Sequence, residues 1–209
     1  TYQAAWLHQW EPEPRTLQRA FELEQKALAL DDTLPWAHII LSWIYMIQAK
    51  YEPAVAAAER AIALDPNNAD GYDGLAVVFN NFGERTTEAI ELEEKAIRLN
   101  PRYPFEYAHQ LGWAYRLVGR YEEALAAQQQ ALLRNPNWLF SYLELVANYL
   151  ALWGSQRTQD PQTLDQAFEA AQRMVALDAT SPFGRFILSA AYLWKKQYEQ
   201  ASAEAEQVL

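Results

Sequence analysis

Residues 35–68 read PWAHIILSWIYMIQAKYEPAVAAAERAIALDPNN, and this stretch decides the fold. Leu41, Ser42 and Tyr45 fall on one helical face, a turn follows at Ala49-Lys50-Tyr51, and Ala54, Ala61, Ile62 and Leu64 fall on one face of a second helix. Asp65-Pro66-Asn67-Asn68 then closes the unit, because proline cannot continue a helix and turns the residue before it away from the helical region. The same signals recur outward in both directions. Alanine stands at 20, 54, 89, 124, 167 and 201 and leucine at 7, 41, 75, 111, 145 and 188, a period of 34 to 36 residues that lengthens once to 43. Such a period predicts stacked helix-turn-helix units that bury their core between neighbours.

Composition agrees. Only 7 glycines occur in 209 residues that are 51% apolar and rich in Ala, Leu, Glu and Gln, so an all-α fold is expected. The net charge of -10 disfavours phosphate backbones and anionic lipid surfaces, and the only basic cluster is Lys195-Lys196. No apolar run reaches the roughly 18 residues of a membrane span, and no signal peptide precedes the first unit; no membrane insertion and a cytoplasmic location are expected. The absence of cysteine excludes disulfides and thiolate metal sites.

Leucine followed four residues later by an aromatic recurs as Leu41/Tyr45, Leu75/Phe79, Leu111/Tyr115, Leu145/Tyr149 and Leu188/Tyr192, one face buried against a partner helix. The alanines read as points of close helix contact. With Leu111-Gly112, Tyr115, Ala124, Ala131 and Pro136, and with Tyr72, Leu75, Phe79, Ala89, Ala96 and Pro101, the chain resembles the tetratricopeptide repeat over nearly its whole length. It departs where that pattern carries an aromatic in the second helix: Glu24, Ala58, Glu93, Gln128, Ala171 and Ala205 stand there, which assigns inter-repeat packing to other groups, above all the 8 tryptophans. The expected architecture is a right-handed α-solenoid of about six repeats, 1–34, 35–68, 69–103, 104–138, 139–180 and 181–209, forming one array.

A longer period overlies this one. Repeats two, four and six open with Pro35-Trp36, Pro104-Phe105 and Pro182-Phe183, whereas one, three and five turn through Arg15-Thr16, Arg85-Thr86 and Arg157-Thr158. Three double-repeat modules result. Thr16 and Thr163 read as N-caps of second helices, Gln166 giving the later copy the spacing of a capping box. The extra residues of the fifth repeat predict a loop insertion at 154–162. A short first helix is expected from Tyr2 to Trp10, stopped by Pro12 and Pro14, and the last helix is expected to be truncated at Leu209 without a polar cap. This suggests a fragment of a longer protein, or an end covered by another chain.

No enzymatic constellation emerges. His8, His38 and His109 lie on different repeats with no metal-ligand spacing; Asn68, Asp70 and Gly71 resemble a calcium loop only faintly, since Pro66 and Val77 occupy the first and twelfth ligand places. There is no phosphate-cradling glycine loop and no nucleophile elbow. The expectation is a protein that is no enzyme and carries no cofactor and no metal.

The resemblance implies a concave surface, lined by first helices, that receives a protein or peptide segment. Positions offset from the buried leucine face supply the candidates: Trp36, Ile39, Trp43 and Ile47; Val77, Asn80 and Asn81; His109, Trp113 and Arg116; Leu143 and Leu150; Phe186 and Trp194. Such a wall is apolar at both ends and polar in the middle, as protein-binding surfaces are. Tryptophan and methionine at helical spacing are more often inter-repeat core; for Trp36 and Trp113 the two readings weigh equally, and for Asn80, Asn81, His109 and Arg116 the binding reading gains, since polar groups are cheap to expose there and can bond a peptide backbone. The Lys/Asn/Arg clamp by which related domains hold an acidic chaperone tail is missing, Ile39, Asp73 and His109 standing in its places. Two other readings accompany the scaffold. The opening Tyr2, Trp6 and Leu7, with Ala20 to Ala27 and Leu30-Asp31, is similar to tetratricopeptide regions attached to bacterial class III adenylate/guanylate cyclases and related regulators, which implies a regulatory arm. Self-association into a homo-oligomer through the uncapped C-terminal end is the third.

Overall fold

The computed structural model describes residues 14–155 and 160–207; the expected helix Tyr2–Trp10, the turn residues Arg157 and Thr158 and the terminal Leu209 lie outside them. Within the described residues the chain is all-helical and divides into two compact units, Thr1–Tyr103 and Pro104–Leu209. Unit one contains α1 (Pro14–Leu30), α2 (Pro35–Ile47), α3 (Tyr51–Leu64), α4 (Ala69–Phe82) and α5 (Thr86–Leu99). Unit two contains α6 (Phe105–Leu117), α7 (Tyr121–Arg134), α8 (Leu139–Ser155), α9 (Pro161–Leu177), α10 (Pro182–Trp194) and α11 (Tyr198–Glu206). Consecutive helices pair, α2 with α3 and α4 with α5 in unit one, α6 with α7, α8 with α9 and α10 with α11 in unit two. Each second helix also packs on the next first helix of its unit, and first helices pack on one another, α2 on α4 and α6 on α8.

The turns inside pairs are one structure built four times. Ala49, Gly83, Gly119 and Lys196 adopt positive φ of 55°, 68°, 80° and 59°, and the next N–H reaches back to the aromatic residue's carbonyl: Lys50 to Tyr45, Glu84 to Phe79, Arg120 to Tyr115 and Gln197 to Tyr192, at 2.9 to 3.1 Å. This left-handed stop satisfies carbonyls that the helix end would leave orphaned, at no steric cost for glycine and at about 1 kcal/mol for Ala49 and Lys196. Second helices end otherwise. Asp31, Asp65, Asn100, Asn135 and Asp178 each accept, through Oδ1, the N–H two residues on, at 2.9 to 3.3 Å. These side-chain turns stop the helix together with the prolines at 66, 101 and 136.

Small residues set the pair spacing. Ala54, Ala89, Ala124 and Ala167 are wholly buried and Ala201 nearly so, and the residues one beyond each repeat leucine, Ser42, Ala76, Gly112, Val146 and Ser189, are buried too. The Ser189 hydroxyl donates to the Ala201 carbonyl at 2.8 Å, and a Cβ added at Gly112 would lie 3.1 Å from the Ala124 carbonyl and 2.6 Å from Gln128 Nε2. The aromatic vacancy in the second helices is filled by Ala58, Glu93, Gln128 and Ala171, every one of them fully buried.

Three expectations change. Thr16 lies inside α1, which starts at Pro14, and Thr163 is not a cap either: Asp160 caps α9, accepting from Gln162 N–H at 3.1 Å with Pro161 in the first helical turn. Proline ahead of each threonine pre-sets the helical φ and moves the start upstream. Of the expected insertion 154–162, Gly154 and Ser155 belong to α8 and Pro161 and Gln162 to α9, helices of 17 residues each against 13 or 14 in the pairs from α2 to α7, and 156–159 lie outside the described residues. The Leu/aromatic face is fully buried only in part: Leu75, Phe79, Leu145, Tyr149 and Leu188 are buried, while Leu41, Tyr45, Leu111, Tyr115 and Tyr192 are half-buried.

Glu93 is the anomaly of this core. Its carboxyl is wholly buried, and burial first, then the charge of the neighbouring Asp73 and a hydrogen bond with it, hold its pKa well above the ordinary carboxylate range. The folded state therefore binds this proton more tightly than the unfolded chain, so its stabilising contribution is complete below about pH 4.5 and is lost as pH rises toward the folded value. Glu93→Gln, which installs the residue that position 128 carries naturally, is expected to raise stability by at least about 1 kcal/mol at pH 8 and to leave stability unchanged near pH 4. The difference between the two proteins' urea unfolding free energies across pH measures it; a difference that does not grow with pH refutes the assignment. At the close-approach point, Gly112→Ala is expected to lower stability by about 1–3 kcal/mol, whereas Gly154→Ala, with nothing within 4 Å of the added methyl, should be neutral or stabilising in the same measurement.

Candidate functional site

The first helices of each unit carry the candidate residues, and the two units differ in how they hold them. On α2, Trp36 is 50% exposed and meets Trp43 edge-on with ring centroids 6.3 Å apart. Trp43 and Ile47 are half-buried, and the buried indole N–H of Trp43 has no acceptor. Ile39 is wholly buried: Gly74 on α4 has no Cβ, and one placed there would sit 3.4 Å from Ile39 Cγ2 and 3.9 Å from Trp43 Nε1. The missing side chain admits α2 close to α4, which turns Ile39 from a wall residue into core. On α4 every residue from Gly71 to Asn80 is buried, so Val77 and Asn80 are not on an open surface; Asn81 is half-buried and donates to the Val77 carbonyl at 2.9 Å.

In unit two the polar candidates are tied into the scaffold. Gln128 Nε2 donates to the His109 carbonyl at 2.9 Å, which leaves Gln128 Oε1 as the acceptor 3.0 Å from His109 Nδ1. Nδ1 therefore carries the hydrogen of the neutral ring. Ser141 Oγ lies 3.3 Å from the same nitrogen, and burial pushes the His109 pKa below its ordinary range. Arg116 forks onto Glu144 of α8, Nε to Oε2 at 2.6 Å and Nη2 to Oε1 at 3.3 Å. The guanidinium expected to meet a peptide is thus already committed to a carboxylate, and His109 is buried instead of open. Leu143 is buried as well; Trp113 and Leu150 are half-buried. On α10 Phe186, Leu193 and Trp194 are 59%, 52% and 49% exposed, with Trp194 against Trp153 of α8 at 5.4 Å.

Of the fourteen candidates, Trp36, Phe186 and Trp194 are the most exposed. Sequence reading missed Gln128, Ser141 and Glu144 as partners, although Gln128 had stood out as the residue replacing an aromatic; no local signal pairs residues 19 to 32 positions apart. Tryptophan serves both roles: Trp138 clusters with Phe105 at 5.0 Å and Phe140 at 5.3 Å, a packing role, while Trp36 faces solvent. Among the described residues no group of three or more His, Asp or Glu could hold a metal ion, and no helix is long and apolar enough to cross a membrane.

Two family models of the tetratricopeptide repeat match the chain, one over residues 37–68 and one over 105–138. No curated protein matches it. Among solved structures, PilW, a widely conserved type IV pilus biogenesis factor, aligns with a TM-score of 0.81 over 93% of this chain and 85% of its own, at 16% identity. MamA from Desulfovibrio magneticus RS-1 aligns at 0.68 over 83% of this chain and 92% of its own, at 17% identity. YrrB, a tetratricopeptide protein with an unusual peptide-binding site, aligns at 0.61 over 88% and 90%, at 20% identity. These identities speak for the fold alone. A tetratricopeptide-repeat model matches in each unit, over residues 37–68 and 105–138, and the same paired construction runs through the other described helices: the chain contains tetratricopeptide repeats.

Proposed function

We propose that this chain is a non-enzymatic interaction scaffold whose first-helix faces take up a protein segment in extended or helical form. The observation that carries the reading is the exposure of large apolar side chains on those faces: Trp36 in unit one, and Phe186, Leu193 and Trp194 in unit two. Water-exposed aromatics grouped on one side of a helix are what a partner's apolar anchors cover, and tryptophan contributes disproportionately to such interfaces. YrrB, of the same fold, has a peptide-binding site, which agrees with this reading.

The buried and paired candidates take a different part in it. Ile39, Val77, Asn80, His109 and Leu143 shape the faces from beneath, and the Arg116–Glu144 pair fixes α6 to α8. Trp43 meets the ring of the exposed Trp36 edge-on, and it is half-buried, as are Ile47, Asn81, Trp113 and Leu150.

Peptides selected from a random phage-displayed library on the intact chain supply the test. Trp36→Ala, or the Phe186→Ala/Trp194→Ala pair, is expected to weaken the selected peptides by about tenfold or more in fluorescence anisotropy, with the far-UV circular dichroism unchanged. Arg116→Ala should instead lower stability, since it strands the Glu144 carboxylate. A library that yields no binder, or binders indifferent to all three aromatic substitutions, would falsify the proposal.

A further inference from the structure

Three residues beyond each repeat leucine lies a seam position, and it is apolar and buried at Ile44, Val78, Ala114 and Ala191. On α8 the same place is Asn148. It is fully exposed to neither water nor partner: its relative accessibility is 0%, and neither Oδ1 nor Nδ2 meets a hydrogen-bond partner. An amide deprived of water without replacement disfavours the closed state by about tenfold or more. Nothing about packing calls for it, because alanine, valine and isoleucine fill the equivalent sites.

The side of α8 that carries Asn148 is otherwise well bonded to the preceding pair. Ser141 and Glu144, seven and four residues earlier, share that side by helical periodicity, and they meet His109 and Arg116 of α6 at 3.3 and 2.6 Å. Both of these polar attachments lie in the first half of α8. In its second half Trp153 packs on Trp194 of α10. Anchored at one end and carrying an unsatisfied amide in the seam, the contact is built to open before the rest of the unit. We propose that Asn148 marks a joint in unit two, at which the α8–α9 pair opens from α6–α7 while the Ser141 and Glu144 contacts hold. The assignment does not depend on what the first-helix faces bind. Local opening of this kind is a free-energy property of the seam and is visible in amide exchange.

Hydrogen exchange followed by mass spectrometry on the intact chain tests it, comparing the parent with Asn148→Ala and Asn148→Leu. Removing the orphaned amide is expected to slow exchange in the second half of α8 about tenfold, while exchange in α3 and α10 stays within twofold of the parent. Slowing in either variant sustains the joint, so that a small cavity in one or overpacking in the other does not decide the matter. Unchanged or faster α8 exchange in both variants overturns it, because the amide is then bonded in solution. Equal slowing in α10 also overturns it, since the asparagine would then weaken the whole unit and not this seam.

Discussion

A close approach of a first helix's backbone to an alanine of its partner holds α6 against α7 and α10 against α11. At Gly112 the space left is too small for a methyl group, and at Ser189 it is bridged by a hydroxyl reaching the Ala201 carbonyl. Distances this short let the remaining side chains interdigitate at the density of a protein interior without a large central core. In four of the pairs the left-handed turn residues at 49, 83, 119 and 196 join the two helices by a stop that reverses the chain within three residues.

Once the pairs are set, the position that lacks its usual aromatic acquires unusual importance. Ala58 and Ala171 leave the place to small side chains, Gln128 fills it with a bidentate contact to His109, and Glu93 fills it with a carboxyl whose pKa burial raises. The two units thus solve one packing problem with opposite proton chemistry. Glu93 binds its proton tightly and loses stability as pH rises, whereas His109, its pKa lowered by burial, loses it as pH falls below the histidine range. Asn148 belongs to the same class of polar intrusions into an apolar register, without a partner to justify it.

Much of this was legible in the chain. The alanine period, the Leu/aromatic pairs and the Asp/Asn-Pro stops specify helix pairs because each obeys a local periodicity or a local turn chemistry. Helix starts were less legible: Pro14 and Pro161 begin helices two residues ahead of the threonines that resemble caps. Candidate residues were the least legible, for the 100° periodicity places Ile39 and Trp36 near one another on α2 yet cannot tell that Gly74 of another helix will enclose the former and leave the latter in water.

The sequence by itself determined the all-α class, the pairing of helices and the residues that hold each pair together, since those depend on spacing within about 35 positions. Only the tertiary structure decided which polar groups are spent on the scaffold: that Arg116 belongs to Glu144, that His109 and Gln128 hold each other, and that Asn148 has nothing. These outcomes arise between helices 19 to 32 residues apart in the chain or, for Asn148, from the lack of any such partner, and the energy of a buried polar group is fixed by what stands opposite it, not by its own place in the repeat.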